Sequence, residues 1–333
     1  MEQRPARGRL GTTVEEVPRE RTTYDARVTR HFLTGEELTA DELTDLLDRA
    51  DFLKQDRWAS AQLSGRSVAL VFEKPSTRTR VSFEVGVREL GGNPIVLREG
   101  EMQISRGEST RDTALVLSRF VHAVGVRTFA DSVLEELAQH ASIPVINMLT
   151  DKHHPCQALA DLQTLRERFG TLEGLKLAYV GDGNNVANSL MLIGAKAGLE
   201  VAVATPAELA PDPAIVERAG ERAHVTTDPA EAADGAHALY TDVWVSMGDE
   251  GDADRLRSLL GPYQLGEELL AKARPDAIVL HCLPAHAGEE ITEGVLYGER
   301  SAVFDQAENR LHAQKALLEF LLGSPSRKVP ASG

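Results

Sequence analysis

The chain has 333 residues, enough for two domains that each bury a core of their own, and its 51 acidic against 36 basic side chains leave a formal charge of −15. That excess excludes the broad positive fields on which nucleic-acid and anionic-membrane binding depend, so small molecules are the expected partners. No apolar run approaches the roughly 20 residues of a membrane span, and the two cysteines, Cys156 and Cys282, fit a cytoplasmic protein whose thiols stay reduced.

The first 29 residues are rich in Arg and Thr, carry Glu2, Glu15, Glu16 and Glu20, and lack an apolar stretch. They fit neither a secretory signal nor an acid-poor transit peptide and predict a mobile extension. Thr39-Ala40-Asp41-Glu42 is a capping box, and Leu43, Leu46, Leu47, Ala50 and Leu53 recur behind it at helical spacing, so an amphipathic helix opens the ordered part. Short apolar or β-branched runs follow at 68–72, 94–97, 123–127 and 143–147, separated by helix-compatible segments such as 109–120 and 132–140. A second series, 175–180, 201–204, 238–241 and 277–280, begins after a loop near residue 150 and alternates in the same way. Leu311, Leu317, Leu318 and Leu321 predict a helix over 309–322, and residues 324–333 are expected to be loose. The rhythm predicts an α/β protein of two parallel-sheet domains, 30–150 and 151–308, with a cleft between them and the helix over 309–323 returning to the first.

Right-handed crossovers between parallel strands leave the ligand-binding loops at the carboxyl ends of the strands. The chemically loaded clusters fall at such places. Ser76-Thr77-Arg78-Thr79-Arg80 follows 68–72 and precedes a helix-compatible stretch over 81–90. Hydroxyls, two guanidinium groups and the N–H groups of a first helical turn make a phosphate site; the plainer reading is a capped helix start with two solvated arginines. Arg127 ends 123–127. His153-His154-Pro155-Cys156-Gln157 opens a helix with Pro155 in its favoured first turn. His154 and Gln157 offer one carbonyl oxygen two donors, against the plainer reading of a helix cap or packed histidine.

Gly181-Asp182-Gly183-Asn184-Asn185 suggests a dinucleotide fingerprint, but Val186 stands where the third glycine belongs and Glu200 precedes its strand. The two asparagines suit a zwitterionic substrate better. Asp242-Val243-Trp244-Val245-Ser246-Met247-Gly248 places a carboxylate and a hydroxyl on a loop suited to an ammonium group and to movement over a ligand; the alternative is an ordinary strand end anchored by Trp244. His281-Cys282-Leu283-Pro284 brings a thiol to a strand end, as nucleophile or as structure. His153, His154, Cys156, His281, Cys282 and His286 could be assembled into a zinc site, but no pair has C-x-x-C or H-x-x-x-H spacing, and no metal is expected.

Taken together, 76–80, His154-Pro155-Cys156-Gln157, Asp242 with Ser246-Met247-Gly248, His281-Cys282-Leu283-Pro284 and Phe304-Asp305-Gln306-Ala307-Glu308-Asn309-Arg310 resemble the carbamoyltransferases. The Ser-Met-Gly and His-Cys-Leu-Pro elements are similar to the ornithine branch, and the match runs in order from about His31 to Leu322. The resemblance implies a first domain for carbamoyl phosphate, a second for ornithine, no cofactor, and a homotrimer or assembly of trimers in a step of arginine metabolism. It implies that Ser76, Thr77, Arg78, Thr79 and Arg80, with Arg127, hold the phosphate, and that Gln103 reaches a neighbouring subunit's ligand. His154, Gln157 and Arg310 are then expected at the carbamoyl oxygen, with Pro155, Cys156, Cys282 and Leu283 around the same ligand. Asn185, Asp242, Ser246 and Met247 are expected to bind ornithine, and Cys282 with the Leu283 carbonyl to orient its side-chain amine. The expected catalytic set is Arg78, Arg127, His154, Gln157, Asp242, Cys282 and Arg310.

Three rival readings follow from the same residues. A carbamoyltransferase for putrescine, aspartate or an acylated ornithine is the nearest; Asp242 and the Ser-Met-Gly loop favour a free α-amino acid. A nucleotide-dependent oxidoreductase is suggested by the fold rhythm and opposed by Val186. A non-enzymatic protein of the same fold would be expected to lose some of these polar loop residues, and none is lost.

Overall fold

The computed structural model describes residues 29–101, 107–245 and 250–323; the expected N-terminal extension, save its last residue, and the tail lie outside this range. Strands β1 (Ser67–Phe72), β2 (Asn93–Arg98), β3 (Ala123–Arg127) and β4 (Val145–Leu149) form one sheet in the order β2-β1-β3-β4. Strands β5 (Lys176–Val180), β6 (Glu200–Ala204), β7 (Ala223–Thr226), β8 (Ala238–Thr241) and β9 (Ile278–His281) form the other, in the order β7-β6-β5-β8-β9. All pairings are parallel. Among the described residues no helix is long and apolar enough to cross a membrane.

All-parallel sheets are covered on both faces, and β1 shows how. Val68, Leu70 and Phe72 enter a core shared with helices α1 (Ala40–Gln55) and α2 (Thr77–Glu89). Ala69 and Val71, one residue out of phase, enter a separate core with α3 (Thr110–Phe120) and α4 (Asp131–His140). The first of these cores continues through α5 (Pro155–Phe169) and α6 (Asn185–Lys196) into the second sheet. The C-terminal helix (Val303–Leu322) packs on α1, α2 and α5, so it returns to the first domain.

Three elements differ from expectation. β4 begins at Val145 rather than 143, since Pro144 has no N–H to give the ladder and contributes only its carbonyl, to Val124 N. β7 was not anticipated: Ala-His-Val-Thr is four residues long at a sheet edge, with His224 and Val225 exposed, so it carries no apolar period. The C-terminal helix starts six residues before 309, which places Gln306, Asn309 and Arg310 on one continuous helix.

A buried ion pair docks that helix. Lys315 Nζ donates to Glu89 Oε2 at 2.8 Å and to the Arg57 carbonyl at 2.5 Å, and both charged side chains are buried. Gly86 allows the approach, because a Cβ there would sit 3.2 Å from Lys315 Cγ. Lys315→Met keeps the apolar stem but leaves Glu89 with Arg57 as its remaining cation, and is expected to lower unfolding free energy by about 3–5 kcal/mol. Urea unfolding checks this; a change below about 1 kcal/mol would show that Arg57 alone satisfies Glu89.

Candidate active site

Each sheet has one point where the strand order reverses, between β1 and β3 in the first and between β5 and β8 in the second. Open α/β sheets bind ligands at the carboxyl ends of the strands beside such points. Here the loop after β1 and the first turn of α2 supply Ser76 to Arg80, the last residue of β3 is Arg127, and the loops after β5 and β8 supply Asn184 and Asp242.

On the first side, Ser76 is the N-cap of α2 and its hydroxyl accepts from Thr79 N at 3.2 Å. The segment is thus a capped helix start, and the first turn that Ser76 caps is the cluster itself. Thr77 and Arg78 are exposed on that turn, Thr79 is buried, and Arg80 pairs with Glu84 one turn on at 2.6 Å. Ser76, Thr77 and Arg80 also line a hollow of about 650 Å³ shared with Phe72, Glu84 and Arg98. Register places Arg127 beside Phe72, so its guanidinium emerges next to this loop; the side chain is buried and its Nε has no partner among the described residues.

Arg310 joins them from the C-terminal helix. Its Nη1 donates to Gln157 Oε1 at 2.7 Å and its Nη2 to Thr79 Oγ1 at 3.3 Å. With its oxygen turned to the guanidinium, the Gln314 amide accepts from Nε and Nη2 at 3.1 and 3.0 Å. Among the described residues Arg78, Arg127 and Arg310 make no ion pair. Their charges fall together on His154, whose pKa burial and then Arg310, Arg127 and Arg78 hold well below the ordinary value. Burial, then Arg310, lowers Arg127 to about 10, so it remains a cation at neutral pH.

His154 is the N-cap residue of α5, buried, with its backbone N–H donated to Ser189 Oγ at 2.7 Å. Next to it, His153 Nδ1 lies 2.7 Å from Asp131 Oδ1. Pro155 takes the first turn, and Cys156 Sγ donates to the Asn147 carbonyl at 3.3 Å. Burial pushes the Cys156 thiol up to about 12, so it is packing rather than a reactive group.

On the second side, Thr241 pairs with His281 in the ladder, which makes Asp242 and Cys282 neighbours. Cys282 Sγ donates to Asp242 Oδ1 at 2.7 Å, and Asn184 Nδ2 donates to Asp242 Oδ2 at 3.1 Å. Burial, then the Asp242 carboxylate, pushes the Cys282 thiol well above its ordinary pKa, so the group is a protonated donor. Asn185 Nδ2 donates to the Thr150 carbonyl at 2.6 Å. Leu283 has φ +58 in a tight turn before Pro284, held by its N–H donated to His281 Nδ1 at 2.9 Å. Gln103, Ser246 and Met247 lie outside the described residues.

Asp242, His281 and Cys282 have a metal-sized grouping, but His281 Nδ1 accepts from Leu283 N and its Nε2 faces Glu290 Oε1 at 3.1 Å. Both ring nitrogens are engaged, which does not fit a ligand. Gly183 of the apparent fingerprint is required because a Cβ would strike the Leu209 carbonyl and Pro211, and its N–H bonds to Leu209 O. The loop is closed over by protein where a pyrophosphate would have to approach.

Sequence reasoning missed Asp161, Gln306 and Gln314 as partners, and Asn184 as the side chain that donates to Asp242. Asp161 Oδ1 accepts from Gln157 Nε2 at 2.8 Å and from Gln306 Nε2 at 2.7 Å, and Gln306 Oε1 accepts from His281 N at 2.8 Å. The available signal was spacing: Gln157 and Asp161 are i and i+4 on a helix that is otherwise small and apolar there.

Two family domains match the chain. The carbamoyl-P binding domain of the aspartate/ornithine carbamoyltransferases matches residues 30–167, and the Asp/Orn binding domain matches 173–321. An ornithine carbamoyltransferase of Acidothermus cellulolyticus is 57% identical over 310 residues, 90% of this chain and 99% of that one. The crystal structure of the ornithine carbamoyltransferase from Thermus thermophilus superposes with a TM-score of 0.81 at 49% identity, over 87% of this chain and 98% of that one. That from Pyrococcus furiosus superposes with a TM-score of 0.86 at 44% identity, over 90% and 98%.

Proposed function

The chain belongs to the aspartate/ornithine carbamoyltransferase family, and from that premise we propose how the atoms of this cleft divide the family's chemistry. The reaction is transfer of the carbamoyl group from carbamoyl phosphate to the δ-amine of L-ornithine, giving L-citrulline and phosphate. The observation that carries the assignment is the convergence of Arg78, Arg127 and Arg310 without an ion pair to any carboxylate among the described residues, in a chain of net charge −15, opposite the Asp242–Cys282 pair. Two buried cations, Arg127 and Arg310, gathered with the exposed Arg78 against their mutual repulsion, await an anion.

Ser76, Thr77, Arg78 and Thr79, with the N–H groups of the first turn of α2 and Arg127, hold the phosphate. Arg80, engaged with Glu84, braces the outer side of the same turn. His154, neutral at physiological pH, Gln157 and Arg310 face the carbamoyl oxygen, where negative charge grows as the amine attacks. Asn185, Asp242, Ser246 and Met247 bind the α-carboxylate and α-ammonium of ornithine, and Cys282 with the Leu283 carbonyl orients the δ-amine. Domain boundaries near 150 and 308, a homotrimer in which Gln103 reaches a neighbour's carbamoyl phosphate, and a cytoplasmic setting complete the proposal.

The amine must attack as the free base. With a pKa like that of lysine, ~10.4, about one ornithine in a thousand is ready at pH 7.4, which costs about 4 kcal/mol. Charge stabilisation at the developing oxyanion offsets this, and phosphate departs from its cationic cradle. Arg78→Ala is expected to raise KM for carbamoyl phosphate and lower turnover by about 100-fold together, because a single charge-assisted contact to the leaving group is lost. Steady-state kinetics at varied carbamoyl phosphate test it; rates within a factor of two of wild type would remove Arg78 from the phosphate site.

A further inference from the structure

Asp161 is fully buried on α5 between Ala160 and Leu162; it is itself assigned to no substrate, but it hydrogen-bonds Gln157, which is assigned to the carbamoyl oxygen. Packing alone does not call for a carboxylate there, since burying a charge among apolar side chains is unfavourable unless its partners compensate. Its partners are two glutamine amides, and both donate to the same oxygen, Oδ1.

A glutamine amide has a carbonyl end and an amino end of nearly equal shape, so its orientation is set only by its neighbours. The Oδ1 of Asp161 is an acceptor both when the group is ionised and when its proton sits on Oδ2. Facing Asp161, both Gln157 and Gln306 must therefore turn their amino groups inward and their oxygens outward. The outward oxygen of Gln157 receives Arg310 Nη1 at 2.7 Å. The outward oxygen of Gln306 receives the His281 backbone N–H at 2.8 Å, one residue before Cys282. A single acceptor thus sets two amides, one on each side of the cleft.

We propose that Asp161 is a positioning residue for the transfer reaction, holding Gln157 and Arg310 in register with the strand end that presents Cys282. The inference rests on the assignment of Gln157 and Arg310 to the carbamoyl oxygen. Burial pushes the Asp161 carboxyl up to about 7 against the two amide donors, consistent with a group kept for its acceptor character at the expense of stability.

Asp161→Leu tests it, because a side chain of similar size without a polar atom takes the acceptor from both glutamines, whereas an asparagine would turn its own oxygen to them. The expected result is a kcat lower by about 10- to 100-fold with KM for both substrates within about threefold, the pattern of an interaction felt in the transition state. In a Gln157→Leu background the same change is expected to add less than about threefold, since Asp161 acts through Gln157. Full additivity of the two losses, or a folded Asp161→Leu enzyme with kcat within twofold of wild type, would overturn the proposal. Asp161→Ser, which keeps one acceptor and less bulk, is carried in parallel with thermal unfolding of each variant. Failure of both variants to fold would make Asp161 a stability element and also overturn it. A Gln157→Leu enzyme with normal turnover would instead sink the assignment of the site, whereas a crippled Gln157→Leu beside a normal Asp161→Leu sinks only the role of Asp161.

Discussion

Arg310→Ala is expected to lower kcat/KM for carbamoyl phosphate by about a thousandfold or more, equivalent to about 4 kcal/mol of transition-state stabilisation. Three losses combine. The guanidinium sits in a buried site where charge on a developing oxyanion is weakly screened, so its removal is felt far more than at a surface. Gln157 Oε1 and Gln314 Oε1 lose their donor, as does Thr79 Oγ1, and buried acceptors left unpaired are unfavourable by about 1–3 kcal/mol each. The Gln157 amide also loses the partner that fixes its outer end. Arg310→Lys separates these effects: it restores charge but cannot span Gln157, Thr79 and Gln314 with one planar fork, and is expected to recover only about tenfold. Kinetics with thermal unfolding of each variant check the pair. An alanine variant that is folded and within tenfold of wild type would show that Arg310 is a packing cation and not part of the transfer chemistry.

Arg310 also shows where sequence reading stops. The strands of both sheets were legible because their apolar runs are continuous, and the loop clusters were legible because they fall at strand ends. Ser76 to Arg80, Arg127, Asp242 and Cys282 all belong to that class, and register alone brings Arg127 to Phe72 and Asp242 to Cys282. Arg310 is not at a strand end and was reached through resemblance only. Its partners Gln157, Thr79 and Gln314 come from three helices, and nothing local in any of them signals the meeting. Asp161 carries only its i, i+4 spacing to Gln157 as a signal, and its bond to Gln306 is invisible until the C-terminal helix is laid against α5. The bond from Asn184 to Asp242 was hidden by a cap: Asn184, as N-cap of α6, spends its oxygen on Val186 and Ala187 and has its Nδ2 left for Asp242. β7 was missed for the opposite reason, because four residues on a sheet edge leave no period to read.

Cys282→Ser is expected to retain turnover within about tenfold, while Asp242→Asn is expected to lower kcat/KM for ornithine by at least about a hundredfold. The asymmetry follows from one hydrogen bond. Cys282 Sγ donates to Asp242 Oδ1 at 2.7 Å, and burial, then this carboxylate, raises the thiol pKa well above its ordinary value. A nucleophilic cysteine needs the reverse environment, a cation or helix N-terminus that favours thiolate. Carbamoyl phosphate is already an activated donor and ornithine supplies the nucleophile, so an intermediate on sulfur would add a step without lowering a barrier. A serine hydroxyl can make the same donation to Asp242, whereas asparagine removes the charge that the ammonium end of ornithine requires. The pH profile follows from the same assignment. The free-base fraction of ornithine rises about tenfold per unit below its pKa, His154 stays neutral, and Arg127 keeps its charge until pH approaches about 10. Turnover at low ornithine should therefore climb steadily from pH 6 to 9 in both wild type and Cys282→Ser. Mass spectrometry after incubation with carbamoyl phosphate alone should find no added carbamoyl mass on Cys282. A trapped thiocarbamate that is consumed on adding ornithine, together with an inactive serine variant, would establish covalent catalysis in its place.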